Sequence, residues 1–345
     1  MSRVNLKELS KHSLESFLRR LGAPAFRTGQ ILHWIYEKYT ADIQEITELS
    51  KEFRQRLSEV AYIGNLGLLD RKFSSDGTEK YLFGLEDGES VESVLIPDDD
   101  RLTLCISSQA GCAMGCRFCL TGAIGFRRNL EPHEIVDQVI SVSRAINPRA
   151  LTNIVMMGMG EPLANFDNVV EALRRLTDLG KISPRRITLS TAGIVPKIIE
   201  LAQKDPKVNL AVSLNATTDE VRDRIMPINR VHPLRELLDV CRRFPLPGRR
   251  RITFEYVLLK GVNDSIEDAH RLAKLLRGIP SKVNLIPFNP YEGAEFERPE
   301  EARIQAFQRV LLDAHMTALV RKSRGQDISA ACGQLRAGRE AGLYT

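Results

Sequence analysis

The sequence predicts an α/β protein in which a partial (βα)6-type barrel follows an N-terminal helical domain. Apolar residues at helical spacing dominate the first 62 residues. From about residue 102 onward, short apolar segments alternate with amphipathic helical patterns, which indicates parallel strands joined by crossover helices. At 345 residues, the chain has room for about two domains of roughly 150 residues each.

The N-terminal region is expected to form a small helical domain over residues 1–62. Gly22-Ala23-Pro24 and a polar stretch after Thr40 separate its helices. Between residues 63 and 97 the helical spacing gives way to short runs in which apolar and polar residues alternate. Two Asp-Gly pairs lie between these runs. This pattern predicts a β-hairpin segment that connects the helical domain to a core over residues 98–345.

The core is expected to contain seven strands and six helices. The strand candidates are residues 102–107, 153–158, 186–190, 209–213, 251–259, 282–286 and 317–321. The helix candidates are residues 131–146, 166–179, 218–226, 233–244, 265–277 and 300–315. In such β/α folds, functional residues lie in the loops at the C-terminal ends of the strands.

The composition is that of a globular protein, with 43% hydrophobic and 27% charged residues. It excludes a wholly disordered, collagen-like or coiled-coil chain. No apolar run approaches the roughly 18 to 20 residues that span a bilayer, and the N-terminus lacks the apolar stretch of a secretory signal. We therefore expect no membrane association and a cytoplasmic location. The net charge of +5 is compatible with nucleic-acid binding but is not evidence for it.

Three of the six cysteines lie within eight residues of each other, as Cys112, Cys116 and Cys119 in a C-x3-C-x2-C pattern. Three thiolates in a glycine-containing loop after the first barrel strand suit an iron–sulfur cluster or another soft metal. With three protein ligands, a cluster keeps one iron open for a substrate. A structural zinc site is the alternative, although such sites usually have four ligands and the nearest histidine is His133.

This cysteine pattern after a first barrel strand resembles the radical S-adenosylmethionine (SAM) superfamily. In that superfamily the three cysteines hold a [4Fe–4S] cluster, the open iron binds SAM, and electron transfer releases a 5′-deoxyadenosyl radical. Two further segments narrow the resemblance: GMGEP at 158–162 and RGQDISAACGQL at 324–335. Together with the strand around Cys105, they resemble the adenine-C2 RNA methyltransferases of the RlmN type over nearly the whole chain.

The resemblance implies three catalytic residues. Cys332 would take a methyl group from a first SAM and become an S-methylcysteine intermediate, and a second SAM would supply the radical that activates this methyl group. Two SAM molecules are therefore used per turnover. Cys105 would be the resolving thiol that forms a transient disulfide with Cys332, and Glu92 would be the proton acceptor. On sequence alone, Cys105 is equally well explained as a core thiol, and Glu92 better as a surface glutamate.

The resemblance also implies a SAM site at the ends of several strands. The implied contacts are Gly160, Glu161, Ser190, Ser213, Leu214, Asn215 and Asn289. Many family members carry histidine at the position of Asn215. Each of these residues, taken singly, is also typical of an ordinary turn after a strand. Cys241 lies in a leucine-rich helical pattern and is interpreted as a core residue.

The implied partners are 23S rRNA, at adenosine 2503, and tRNAs, at adenosine 37, together with an unidentified one-electron donor. We expect a monomer. Arg127, Arg128 and Arg324 flank the cysteine cluster and Cys332, and they are expected to contact phosphates.

Two alternative functions stay open on the sequence. A sister family methylates adenine C8 of the same rRNA and shares the mechanism with two cysteines. A non-catalytic iron–sulfur or zinc RNA-binding protein would explain the cysteine cluster and the basic pairs, but it would give Cys105 and Cys332 no role.

Overall fold

The structure is a computed structural model that describes residues 3–336. The outer ends of the predicted segments 1–62 and 98–345 therefore lie outside the described residues. In the described part of the chain, no helix has the length and apolarity that crossing a membrane requires.

The N-terminal region forms three helices and a short parallel strand pair. Ser10 and Ser50 cap the first and third helices, because each side-chain hydroxyl accepts a hydrogen bond from a backbone N–H of the first turn. The two strands pair in parallel. The elements are β1 (Val4–Asn5), α1 (Lys11–Arg20), α2 (Phe26–Tyr36), α3 (Lys51–Val60) and β2 (Ala61–Tyr62).

Five consecutive strands open the rest of the described chain, and strands and helices follow in turn after them. The strands are β3 (Gly67–Phe73), β4 (Glu79–Gly84), β5 (Ser90–Asp98), β6 (Arg101–Cys105), β7 (Gln109–Gly111), β8 (Phe126–Asn129), β9 (Asn153–Met156), β10 (Ile187–Thr191), β11 (Asn209–Ser213), β12 (Ile252–Leu258), β13 (Ser281–Pro287) and β14 (Ala318–Val320). The helices are α4 (Leu120–Ile124), α5 (Pro132–Ile146), α6 (Phe166–Arg174), α7 (Val195–Leu201), α8 (Asp219–Ile225), α9 (Leu234–Arg243), α10 (Ile266–Leu275) and α11 (Glu301–Asp313).

Ten strands form one sheet in the order β14-β13-β12-β11-β10-β9-β6-β5-β4-β3. The seven strands β6 and β9 to β14 are all parallel to their neighbours and follow one another in chain order. Helices cross between successive strands, so the core consists of six βα units followed by β14. The predicted partial (βα)6-type barrel is confirmed.

Three features of the fold differ from the expectation. The segment predicted as a connecting hairpin contributes three antiparallel strands, and β5 pairs with β6, so these strands extend the barrel sheet. Helix α7 was not expected, because its seven residues are too few to show a clear helical period. The third difference is the end of β9 at Met156, two residues before the predicted end, where the chain enters the loop of the cavity described below.

A buried ion pair joins the N-terminal segment to helix α5 of the core. Lys7 Nζ contacts Asp137 of α5, and both side chains are almost fully buried. Asp137 Oδ2 also accepts a hydrogen bond of 2.6 Å from the Leu66 N–H. Burial lowers the pKa of Lys7, and the Asp137 carboxylate counteracts this shift.

We expect Lys7→Met to lower the free energy of unfolding by about 3 kcal/mol, because it leaves the Asp137 carboxylate buried without its counterion. Urea unfolding under anaerobic conditions, followed by circular dichroism, measures the change. The matched control is Lys72→Met, because Lys72 is exposed and lies 3.9 Å from Asp70. This exposed pair should contribute less than about 0.5 kcal/mol. Equal effects of the two substitutions would contradict a stabilising role of the buried pair.

Candidate active site

A cavity opens at the C-terminal ends of strands β9 to β13. It brings together residues that are far apart in the sequence, as the C-terminal ends of parallel strands do in β/α folds. Of the predicted site residues, those that line the cavity are Cys112, Cys116, Cys119, Gly160, Glu161, Ser190, Ser213, Asn215, Asn289 and Cys332. The remaining three, Glu92, Cys105 and Leu214, are not among the lining residues.

The loop that carries the three clustered cysteines is closed at its base by an antiparallel pair. Strands β7 and β8 pair on either side of it, and the Cys112 N–H donates a hydrogen bond of 2.9 Å to the Gly125 carbonyl. Gly111 has a φ of 75°, and a Cβ at this position would lie 2.0 Å from the Gly125 carbonyl oxygen. Only glycine fits this close approach, so the backbone itself fixes the start of the cysteine loop.

The donor set of this loop fits an iron–sulfur cluster. Burial raises the pKa of Cys112 to about 12 and the pKa of Cys116 well above its usual value, so both thiols keep their protons unless a cation binds. Within residues 3–336, no three histidine, cysteine or carboxylate side chains converge on one ion. A cluster does not need such convergence, because each thiolate binds a different iron.

Gly160 and Glu161 form the loop after β9. Gly160 has a φ of 97°, and a Cβ there would lie 2.6 Å from the Gln109 side chain. The buried Glu161 carboxylate accepts hydrogen bonds from the backbone N–H groups of Ala192, at 2.6 Å, and Leu163, at 3.0 Å. Burial raises the pKa of Glu161, and these donors oppose the shift. Glu161 therefore ties the loops after β9 and β10 together at the wall of the cavity.

Ser190, Ser213 and Asn215 lie at or just beyond the ends of β10 and β11 and line the cavity. Asn215 has a φ of 55°, a conformation that asparagine tolerates better than most residues. Its Oδ1 accepts a hydrogen bond of 2.8 Å from the Val257 N–H. The side chain of Leu214 is fully buried, and its carbonyl accepts a hydrogen bond of 3.0 Å from Arg222 Nε. Leu214 thus differs from its neighbours, which face the cavity.

Asn289 holds the segment that carries Cys332. Its Nδ2 donates a hydrogen bond of 3.1 Å to the Cys332 carbonyl, and its Oδ1 accepts one of 2.9 Å from Gln326. On the other side, the Leu120 N–H donates to the Gly333 carbonyl at 2.8 Å. Cys332 is exposed because it faces the open cavity. Protein atoms surround it on the remaining sides, and this burial raises its pKa to about 11.

Cys105 and Glu92 lie just behind the cavity wall. Cys105 is buried at the end of β6, close enough to Cys332 for the two thiols to interact electrostatically, and burial raises its pKa to about 12. The interpretation of Glu92 as a surface residue is wrong, because only 4% of it is exposed. Its Oε1 lies 3.0 Å from Lys80 Nζ, and its Oε2 accepts a hydrogen bond of 2.7 Å from the Arg336 N–H.

Comparison with known proteins identifies the family. The model of the radical SAM superfamily matches residues 106–273, and that of the ribosomal RNA large subunit methyltransferase N-terminal domain matches residues 4–63. A curated protein of Pelobacter propionicus, named dual-specificity RNA methyltransferase RlmN, is 56% identical over 336 residues, which cover 97% of this chain and 96% of that protein. The chain belongs to the RlmN family of radical SAM methyltransferases. The resemblance inferred from the motifs is confirmed.

Further comparisons agree with this membership. The RlmN of Geobacter sulfurreducens is 58% identical over 335 residues, which cover 96% of this chain and 92% of that protein. The crystal structure of a radical SAM methyltransferase from Sphaerobacter thermophilus superposes with a TM-score of 0.93 at 45% identity, and the match covers 97% of this chain and all of that one. Membership of the superfamily implies a [4Fe–4S] cluster and SAM as cofactors.

Three charged residues of the site were missed by the sequence analysis. Arg222 of α8 is fully buried and donates hydrogen bonds to the carbonyls of Ala192, at 2.7 Å, and Leu214, so it braces the loops after β10 and β11. Glu255 of β12 is buried and lines the cavity, and Arg321 follows β14. Arg222 and Arg321 lie among other charged residues and Glu255 lies in an apolar strand, and no spacing pattern marks any of them as a site residue.

The structure also distinguishes among the arginines proposed to contact RNA in this RlmN-family member. Arg128 donates to both carboxylate oxygens of Glu134, at 2.7 and 2.8 Å, and contacts Asp87, so its charge is already balanced. Arg324 lies 3.1 Å from Asp98. Arg127 is exposed and is absent from the ion pairs of the described residues. Of the three, Arg127 is therefore the best placed to contact a phosphate.

Proposed function

We propose that the protein methylates C2 of adenine in RNA through an S-methylcysteine intermediate and a transient covalent adduct between protein and RNA. The single observation that carries the proposal is the position of Cys332. It faces the cavity that the three clustered cysteines line, and Cys105 lies close behind it. The name of the RlmN relatives, dual-specificity RNA methyltransferase, supports RNA of two kinds as substrate, which we propose to be 23S rRNA and tRNA.

The cofactors supply what this substrate requires. Adenine C2 lies between two ring nitrogens and is electron-poor, so it does not attack a methyl donor as a nucleophile would. When bound, the cluster and SAM supply a methyl group and a carbon-centred radical. We propose that Cys112, Cys116 and Cys119 hold the cluster. The SAM contacts that we propose are Gly160, Glu161, Ser190, Ser213, Leu214, Asn215 and Asn289.

Cys332 carries the methyl carbon from the cofactor to the base. Its thiolate takes the methyl group of a first SAM, and a second SAM is consumed when a hydrogen atom is removed from that group. Two SAM molecules therefore serve each turnover. The electron that starts the radical step is given back later in the cycle, and a separate one-electron donor supplies, net, the two electrons that reduce the final disulfide. The Asn289 hydrogen bond to the Cys332 carbonyl keeps this segment docked against the cavity.

Glu92 and Cys105 complete the reaction after the methylene carbon has bonded to C2. Glu92 accepts the C2 proton, and the adduct radical gives up one electron, which the oxidised cluster would take back. The Lys80 cation and the Arg336 N–H hold the Glu92 carboxylate in place. Cys105 then attacks the Cys332 sulfur, which frees the RNA and leaves a disulfide between the two cysteines. All six cysteines of the chain are free thiols in the structure, as the start of this cycle requires.

We also propose a division of labour along the chain. Residues 1–62 bind RNA, residues 63–97 connect this domain to the core, and residues 98–345 form the catalytic core with the loop of Cys332. The target adenine must leave its stack to reach the cavity. We also propose that the protein acts as a monomer. The RNA substrates support a cytoplasmic location.

The position of the new methyl group tests the proposal. We expect the anaerobic enzyme, with SAM and a one-electron reductant, to produce 2-methyladenosine in a 23S rRNA fragment and in tRNA, as measured by mass spectrometry of the digested RNA against standards. Cys332→Ala is the control and should yield no methylated base. Production of 8-methyladenosine would place the protein with the sister family and contradict the assignment to C2.

A further inference from the structure

Two charged residues near the reactive thiols have no role in the mechanism above. Glu255 of β12 has one carboxylate oxygen, Oε1, that accepts a hydrogen bond of 2.9 Å from Asn284. Its other oxygen, Oε2, is buried and has no hydrogen-bond partner among the described residues. Arg321 follows β14, and its guanidinium is absent from the ion pairs within 4 Å that involve residues 3–336. A partly buried cation without a close counterion is costly, which calls for an explanation.

The Arg321 side chain reaches across the open side of the barrel. Its backbone N–H donates a hydrogen bond of 2.9 Å to the Leu285 carbonyl of β13, so the backbone of Arg321 lies beside the last two parallel strands. Its Nη1 lies 3.8 Å from the Met157 sulfur, at the end of β9. Strand β9 pairs with β6, and Cys105 is the register partner of Val155, two residues before Met157. The guanidinium therefore lies beside the end of the strand that carries Cys105.

Arg321 is the positive charge that acts on both thiols. Burial and the neighbouring Cys332 raise the pKa of Cys105, whereas Arg321 and the backbone of Met157 lower it. Burial also raises the pKa of Cys332, and Arg321 is again the group that opposes the shift. Burial lowers the pKa of Arg321, but Glu255 and the two thiols outweigh this effect and raise it. One cation thus interacts with two sulfur atoms and one carboxylate.

We propose that Arg321 stabilises the thiolate of Cys105 when that thiolate attacks Cys332 and releases the methylated RNA. The inference rests on the proposed function, because it assigns a charge-stabilising residue to the resolving step. Buried thiols keep their protons unless a positive charge compensates, and the thiolate is the form that attacks a sulfur atom. The Glu255 carboxylate also interacts with Arg321, so it affects how much of that positive charge the thiols experience.

The step balances without any added reagent. The Cys105 thiolate forms a bond to the Cys332 sulfur, and the bond between that sulfur and the methylene carbon on adenine C2 breaks. The electron pair of the broken bond goes to the methylene carbon, which takes up one proton and becomes the methyl group. The proton lost by the Cys105 thiol equals the proton gained by the carbon. The two thiol sulfurs are oxidised to a disulfide, and the methylene carbon is reduced to methyl.

Single turnover with the holoenzyme of Arg321→Met tests the proposal. We expect Cys332 to be methylated as in the native protein and the covalent RNA adduct to form, but the adduct should decay at least about tenfold more slowly, since each unit of rise in a thiol pKa lowers the thiolate fraction about tenfold. Denaturing gels follow the adduct, and peptide mass spectrometry follows the S-methyl group. Arg321→Lys retains the charge and should resolve the adduct faster than Arg321→Met. The matched control is Arg309→Met, because Arg309 is exposed on α11 and its loss should leave adduct decay unchanged.

A native rate of adduct decay in Arg321→Met would overturn the inference. Loss of S-methylation would also overturn it, because Arg321 would then act at an earlier step. If Arg321→Met fails to fold or to hold iron, Arg321→Gln decides, because glutamine is polar but lacks the charge. Slower adduct decay than native with normal S-methylation then supports the inference, and native decay overturns it. Cys105→Ala, tested in parallel, separates this inference from the proposed function. If Cys105→Ala traps no adduct, the mechanism with two thiols is wrong. If Cys105→Ala traps the adduct and Arg321→Met does not, only the role of Arg321 is wrong.

Discussion

Cys105→Ala is expected to arrest the enzyme as a covalent complex with its RNA. The substitution leaves Cys332 and the cysteine loop unchanged, so the methyl group still reaches the base. The bond between the Cys332 sulfur and the RNA then has no thiol to break it. We expect turnover to fall by about 10³-fold or more, as when a nucleophile that acts chemically is removed. Denaturing electrophoresis with labelled RNA detects the adduct, and mass spectrometry of the digest locates it on Cys332.

Cys241→Ala is the matched control for this experiment. Cys241 is buried in α9, as Cys105 is buried in β6, and burial raises its pKa to about 12 as well. Its removal takes away one buried sulfur but no proposed role, so turnover should continue and no adduct should persist. Normal turnover by Cys105→Ala without an adduct would contradict the resolving role of this thiol.

Cys116→Ala is expected to lose most of its bound iron, and with it the ability to cleave SAM. Only three cysteines of the loop are available to the cluster, so the loss of one leaves two protein ligands for a group that needs three. Iron analysis and visible absorbance measure the cluster, and the yield of 5′-deoxyadenosine from SAM with a reductant measures the chemistry. Cys241→Ala again serves as the control and should retain both. A Cys116→Ala protein with native iron content and native SAM cleavage would contradict the assignment of the cluster ligands.

Much of the fold could be predicted because the pattern of each core unit is local. The helical period of α5 and the apolar runs of β9 and β12 can be recognised in the sequence without knowing which elements pack against them. The extension of the barrel sheet by β3 to β5 could not be predicted in the same way. An antiparallel strand pair with a short turn looks the same in the sequence whether it stands alone or belongs to a larger sheet. The sequence pattern therefore does not show that β5 pairs with β6 at the edge of the barrel.

The site residues that could be predicted are likewise those with a local sequence signal. The cluster cysteines could be found because their spacing is itself the signal, and Cys332 could be found from the motif around it. The burial of Glu92 could not, because it results from the ion pair with Lys80 and from coverage by the segment around Arg336. The proposed roles of Arg321 and Glu255 could not be predicted either. They depend on the fold, in which β14 and β12 bring the two residues close to the two thiols. A single charged residue in a sequence does not reveal which partners the fold will supply.

The most direct test of the account is to follow the methyl carbon through Cys332. Enzyme whose Cys332 carries a trideuterated methyl group, installed beforehand from labelled SAM, is mixed with unlabelled SAM, reductant and RNA for a single turnover. The account predicts that the first methyl group on adenine C2 contains two deuterium atoms, because the third leaves with the 5′-deoxyadenosine. A first product with an unlabelled methyl group would contradict it, since the methyl carbon would then have passed from SAM to the RNA without visiting the protein.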